Sequence, residues 1–136
     1  METNHPIDSK RHMKTSNFKT YKGNLGVAIC IYPPLDYKGV QFPSLAPDRQ
    51  TFFAKKAGEI DEAEYEKQYR ERVLSKLDPN HVYDMFANNV LLCWEPPGEF
   101  CHRRIVADWI KEELGIEVPE WKPGDDDPDD NVKPLF

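Results

Sequence analysis

Two short apolar runs dominate the pattern of the chain. Gly26-Val27-Ala28-Ile29-Cys30-Ile31-Tyr32 is continuous, rich in β-branched residues and closed by Pro33-Pro34. A run with no polar alternation predicts a strand buried on both faces, as in the centre of a helix-covered sheet. Val90 to Trp94 predicts a second such strand, Met13 to Phe18 a weaker first one, and Ile116 to Trp121 a last short one. Helical periods lie between them. A short helix is expected from Asp48 to Ala57, with Pro47 or Asp48 at its start and Gly58 at its end. Asp61, with Glu64 three residues on, reads as the capped start of a longer helix. Along it Tyr65, Tyr69, Val73, Leu74 and Leu77 recur at three- and four-residue spacing and form one apolar stripe. Asp78-Pro79 starts another helix, running to about Ala87. A last one follows the Pro96-Pro97-Gly98 loop, carries Ile105, Val106, Trp109, Ile110 and Leu114 on one face, and stops at Gly115.

Strands alternating with helices imply an α/β fold: a single three-layer domain with a mainly parallel sheet, right-handed crossovers and helices on both faces. The predicted domain spans residues 13–121. Residues 1–12 are polar and aperiodic and read as a flexible leader, and residues 122–136 as a disordered acidic tail. Pro33 to Pro47 holds four prolines and Gly39 without a period, the mark of a functional or disordered loop. No solenoid repeat is present.

Composition changes this picture little. The 136 residues suit one core, 39% are hydrophobic and 31% charged. The net charge of −6 is mostly due to Asp125, Asp126, Asp127, Asp129 and Asp130, so the folded part is close to neutral. That balance gives no support to a broad nucleic-acid-binding face and is compatible with a small basic site. There is no apolar stretch of about 18 residues and no signal-peptide pattern, so a cytoplasmic protein without a membrane partner is expected. Three cysteines, Cys30, Cys93 and Cys101, are an odd number, and reduced thiols are expected.

Candidate chemistry gathers where the second clear strand meets the last helix. Ligands of open α/β sheets lie at the carboxyl ends of strands, beside helix N-termini. A helix starting near Phe100 presents unpaired amides and the positive end of its dipole there, which suits phosphate or carboxylate. Arg103 or Arg104 adds a bidentate contact to such an anion. Cys101, in the first turn, is placed for a lowered thiol pKa and for nucleophilic work, with His102 as base or orienting group and Glu95 as a proton carrier. The alternative is structural: Cys93 and Cys101 as small buried hydrophobes and His102 as a satisfied core histidine. Metal is not expected, because there is no CxxC pair and neighbours such as Cys101 and His102 rarely reach one ion. A phosphatase loop is discounted because Arg103 lies too far along the chain from Cys93. Thr15 and Ser16, with Asn17, would sit beside the same mouth at the end of the first strand. Tyr37 and Lys38 would close over it from the long loop, or stay solvated. Trp94 and Trp109 read as packing residues, and Cys30 as structural.

Thr15-Ser16-Asn17-Phe18, Tyr37-Lys38-Gly39, Leu45-Ala46-Pro47, and above all Leu91-Leu92-Cys93-Trp94-Glu95 with Phe100-Cys101-His102-Arg103-Arg104 resemble the domain of unknown function family 488. The resemblance covers about Met13 to Trp121. It implies a small intracellular α/β domain of prokaryotic or phage origin in which Cys93, Glu95, Cys101, His102 and Arg103 work as a group. Two functions are carried forward. One is an enzyme acting on a phosphate-bearing substrate, a nucleotide or nucleic-acid base, at Glu95, Cys101 and His102. The other is a non-catalytic module that binds a nucleotide or other small anion. No cofactor is assigned.

Overall fold

The computed structural model describes residues 13–96 and 98–125. The leader, the tail beyond Asp125 and Pro97 of the proline-glycine loop lie outside the described residues. Strands β1 (Lys14–Asn17), β2 (Gly26–Ala28), β3 (Val40–Gln41) and β4 (Val90–Cys93) form one sheet in the order β1-β4-β2-β3, with every pairing parallel. Helices α1 (Arg49–Lys56), α2 (Glu62–Arg72), α3 (Pro79–Phe86) and α4 (His102–Leu114) pack against it. This is the α/β architecture that the alternation of patterns predicts.

β4 is flanked by a strand on each side, which is why Val-Leu-Leu-Cys is buried at all four positions. Its register pairs Asn17 with Cys93 and Ala28 with Leu92, so the carboxyl ends of β1, β2 and β4 finish at one level. Alternate side chains go to opposite faces of the sheet. Val27, Ile29 and Leu91 join Tyr65 and Tyr69 of α2, Val82 and Phe86 of α3, and Ile105, Val106, Trp109 and Ile110 of α4. Ala28, Val90 and Leu92 meet Phe18 and Tyr21, with Leu25, Tyr37 and Trp121 around them. The helical core residues gather on the first face, and loops and the end of the chain cover the second, so the helices expected on both faces contribute core residues to one alone.

The helix starts follow their capping chemistry. Asp48, Asp61 and Asp78 each accept a backbone N–H from the first turn of α1, α2 and α3, satisfying an amide that has no carbonyl partner in the helix. Glu64 does not return the favour to Asp61 as a capping box requires, and accepts from Gln68 Nε2 instead. The stripe begun by Tyr65 and Tyr69 continues past the end of α2 into a 3-10 turn at Leu74–Lys76. Gly115 ends α4 in the left-handed region, at φ 72°.

Three segments depart from expectation. β2 stops at Ala28 rather than Tyr32, because β4 ends at Cys93 and leaves Cys30 onward without a neighbouring strand. Ile29 still donates its N–H to Leu92 O at 3.0 Å. The expected strand over Ile116–Trp121 is a single bridge, Thr15 with Glu120. Pro119 has no N–H to extend the ladder. Residues 122–125, expected at the head of a disordered tail, form a turn in which Asp125 accepts from Lys122 N and pairs with Lys14 at 3.6 Å. No described helix is long and apolar enough to cross a membrane.

Candidate functional site

Cys93 is the last residue of β4, and Cys101 is the N-cap of α4. Cys101 is extended, at φ −156° and ψ 146°, while His102 already lies in the helix. That change of backbone direction brings two adjacent side chains together, with Cys101 Sγ 3.8 Å from His102 Nδ1. Unlike α1 to α3, helix α4 has no side-chain cap. Its free amides and positive dipole end therefore face the cysteine pair, an environment that favours negative charge.

Cys93 and Cys101 form a disulfide, and Cys30 is the free thiol. The expectation of reduced thiols is corrected for these two residues. An odd cysteine count says nothing about which side chains the fold brings into contact, and here a strand end and a helix cap meet.

His102 is buried and its Nε2 lies 2.5 Å from Ile29 O. A carbonyl oxygen only accepts, so Nε2 carries the proton and donates, and Nδ1 keeps its lone pair toward the cysteines. Burial, with the positive charge of Arg103 acting in the same sense, pushes the His102 pKa down to about 4, so the ring is neutral at pH 7.

Arg103 is wholly buried. Its Nε and NH2 donate to the two Glu120 carboxylate oxygens at 2.9 and 3.0 Å, and NH1 donates to Glu95 O at 2.9 Å and to Cys93 Sγ at 3.0 Å. Arg104 NH1 donates to Thr15 Oγ1 and Val118 O, both at 2.8 Å, and Thr15 Oγ1 donates to Glu120. Thr15, Arg103 and Arg104 thus converge on an internal carboxylate. Glu120 occupies the place in which an external anion was expected. The Ser16 hydroxyl is buried without a hydrogen-bond partner. The Tyr37 hydroxyl shares its one proton between Val40 O at 2.7 Å and Gly26 O at 3.1 Å, and Tyr37 with Lys38 lines a different cavity bounded by Phe18, Tyr21 and Gly26. Tyr37 and Lys38 do not line the cavity at the cysteines, to which the long loop contributes Pro47.

A cavity of about 230 Å³ opens on the cluster. Cys93, Glu95, Cys101 and His102 line it together with Lys55 and Lys56 from the last turn of α1, and with Cys30, Tyr65 and Phe100. Lys55 Nζ lies 5.7 Å from the centre of the Phe100 ring, and Lys56 Nζ 5.2 Å from that of Phe52. Neither lysine forms an ion pair with a described residue. Burial, reinforced by the Glu95 charge, raises the Cys30 thiol to about 11. The four residues singled out around the cysteines therefore do share one pocket. Glu120 and the two lysines were missed. A Lys-Lys pair in a last helical turn reads as dipole compensation, and an acid beside Pro119 reads as surface.

A family model described as the active DUF488-N3 subclade, DUF488-N3a, matches residues 16–114. The chain belongs to this family. The DUF488 match includes Cys93, Glu95, Cys101, His102 and Arg103, and stops short of Glu120. No curated protein and no solved structure matches the chain.

Proposed function

We propose that this DUF488 chain is an enzyme acting on a phosphate-bearing substrate, a nucleotide or a nucleic acid, in the pocket at the carboxyl ends of β2 and β4. The observation that carries the reading is the meeting, in one cavity, of Glu95 and the Cys93–Cys101–His102 cluster with Lys55 and Lys56. The lysines and the uncapped start of α4 give the cavity a positive side suited to phosphate. The description of the subclade as active favours chemistry over simple binding.

Within this reading the groups divide by environment. His102 is a poor base at neutral pH, because burial holds its pKa near 4 and its Nε2–H is committed to Ile29 O. It orients the cluster, and proton transfer falls to Glu95 on the pocket wall. Either cysteine is available as a thiolate only when the Cys93–Cys101 bond is open, so the reaction belongs to the dithiol form.

The test is incubation of the chain, with a dithiol reductant present, with ribonucleotides, deoxyribonucleotides and single-stranded oligonucleotides, followed by chromatography of products and by thermal shift. Product from the native chain and none from a folded Glu95→Gln variant supports the enzyme. Stabilisation without product leaves a binding module. Neither product nor stabilisation across the panel overturns the substrate class.

A further inference from the structure

We infer that Cys93, Cys101 and His102 form a zinc site in the reduced chain, with two thiolates and His102 Nδ1 as ligands and a fourth position facing the pocket. The inference deepens the reading above, on which it rests for the choice of pocket, and metal content is measured separately from turnover.

The three ligand atoms all lie within 4.8 Å of one another. Cys101 Sγ and His102 Nδ1 are 3.8 Å apart. With Zn–S of about 2.3 Å and Zn–N of about 2.0 Å, one edge of a tetrahedral site measures roughly 3.6 Å. Adjacent residues seldom share an ion, and the extended N-cap followed at once by helix is what lets these two do so. Two soft thiolates and an imidazole select zinc over hard cations such as magnesium.

The surroundings are those of ligands held in place. His102 Nε2–H donates to Ile29 O, the contact that fixes the tautomer and aim of a metal-binding histidine. Arg103 NH1 donates to Cys93 Sγ at 3.0 Å, a charge-assisted hydrogen bond of the kind that holds a ligating thiolate in place. The Cα atoms of Cys93 and Cys101 stand 7.5 Å apart. Disulfide-bonded residues usually stand about 4.4–6.8 Å apart, and an ion between two thiolates spans a wider gap without backbone movement. The three residues line the cavity that holds Glu95, so the fourth position is reached from the substrate side. Three protein ligands with one open position is the arrangement of catalytic zinc, which acidifies a bound water to a pKa of about 7.

The disulfide and the zinc site are two states of one cysteine pair. A dithiol reductant supplies two electrons: the Cys93–Cys101 bond breaks, two thiolates form, and the reductant leaves as its own disulfide with release of two protons. The thiolates then bind Zn²⁺, which stays divalent throughout.

The experiment takes the full chain, reduced with a dithiol and freed of excess reductant and metal, and titrates it with Zn²⁺ and with Co²⁺ as a spectroscopic probe. About one ion per chain is expected, with thiolate-to-cobalt charge-transfer absorption of two-cysteine intensity. That intensity counts ligands without any substitution, so it stands even if a variant misfolds. Cys93→Ser and Cys101→Ser each lose stoichiometric binding, Cys30→Ser keeps it, and oxidation of the pair by diamide releases the ion. A reduced native chain that takes up no ion, or that gives no charge-transfer band, overturns the site. So does full binding by the Cys93→Ser/Cys101→Ser double variant. Zinc bound with no turnover of any nucleotide refutes the enzyme reading and leaves the site. Turnover by metal-free chain supports the enzyme reading and overturns a zinc-dependent centre.

Discussion

Removing the Glu120 carboxylate tests how the fold tolerates a full charge in its interior. The Arg103 guanidinium is 0% exposed and the Glu120 side chain 15%, with two hydrogen bonds of 2.9 and 3.0 Å between them. Taking away one partner of a buried pair costs about 3–5 kcal/mol, because the other charge is left in a low-dielectric site without a counterion. Two features place Glu120→Ala near the lower end: the partial exposure of Glu120 admits some water, and Arg103 NH1 keeps Glu95 O. An expected loss of about 3 kcal/mol corresponds to a fall in Tm of roughly 10 °C. Urea denaturation of the native chain, Glu120→Ala, Arg103→Met and the double variant forms a thermodynamic cycle. The double variant should be more stable than Glu120→Ala, since it no longer buries the Arg103 charge alone, whereas in Arg103→Met the Glu120 carboxylate keeps Thr15 and Arg104, the latter at 3.8 Å. A cost below about 1 kcal/mol for Glu120→Ala, or no coupling in the cycle, would refute the claim that Glu120 neutralises Arg103.

Three further outcomes follow from the same structure. Cys30 should alkylate slowly with iodoacetamide at pH 8: only the thiolate reacts, and raising the pKa from 9.0 to about 11 lowers its thiolate fraction by about 100-fold. The rate should keep climbing past pH 9 and level off near 11, and a plateau near pH 9 would contradict the burial argument. Tyr69→Phe leaves the Leu45 carbonyl without its buried 2.6 Å donor and should cost about 1–3 kcal/mol by urea denaturation. Asp61→Ala removes the acceptor for Glu64 N and should cost about 1 kcal/mol, measured as a lower denaturation midpoint at unchanged slope.

Local rules made the strands and helix starts readable from residues alone. Val90–Cys93 is apolar throughout because it is central, and Asp48, Asp61 and Asp78 mark three helices through one capping contact each. β3 escaped notice because Val40 and Gln41 are exposed edge residues inside a proline-rich stretch, held by pairing to β2 and not by an apolar pattern. At the site, Cys93, Glu95, Cys101 and His102 were legible as neighbours because a strand end and the next helix start must lie close. The destination of the arginines was not, since Glu120 meets Arg103 only after the chain has run the length of α4 and returned to β1. The spacing that counts against a phosphatase loop says nothing of the contact itself, and the Arg103 guanidinium lies 3.0 Å from the Cys93 sulfur.

The return of the chain through Glu120 has a consequence for where this domain ends. The family match closes at residue 114, yet the counterion of its deepest charge lies beyond that point. Glu120 acts as a latch: Trp121 N–H holds Thr15 O at 2.7 Å on one side, and the carboxylate holds the guanidinium that touches the Cys93 sulfur on the other. A fragment cut at Leu114 would keep every strand and helix and lose the latch. The boundary drawn by electrostatics is therefore later than the one drawn by secondary structure.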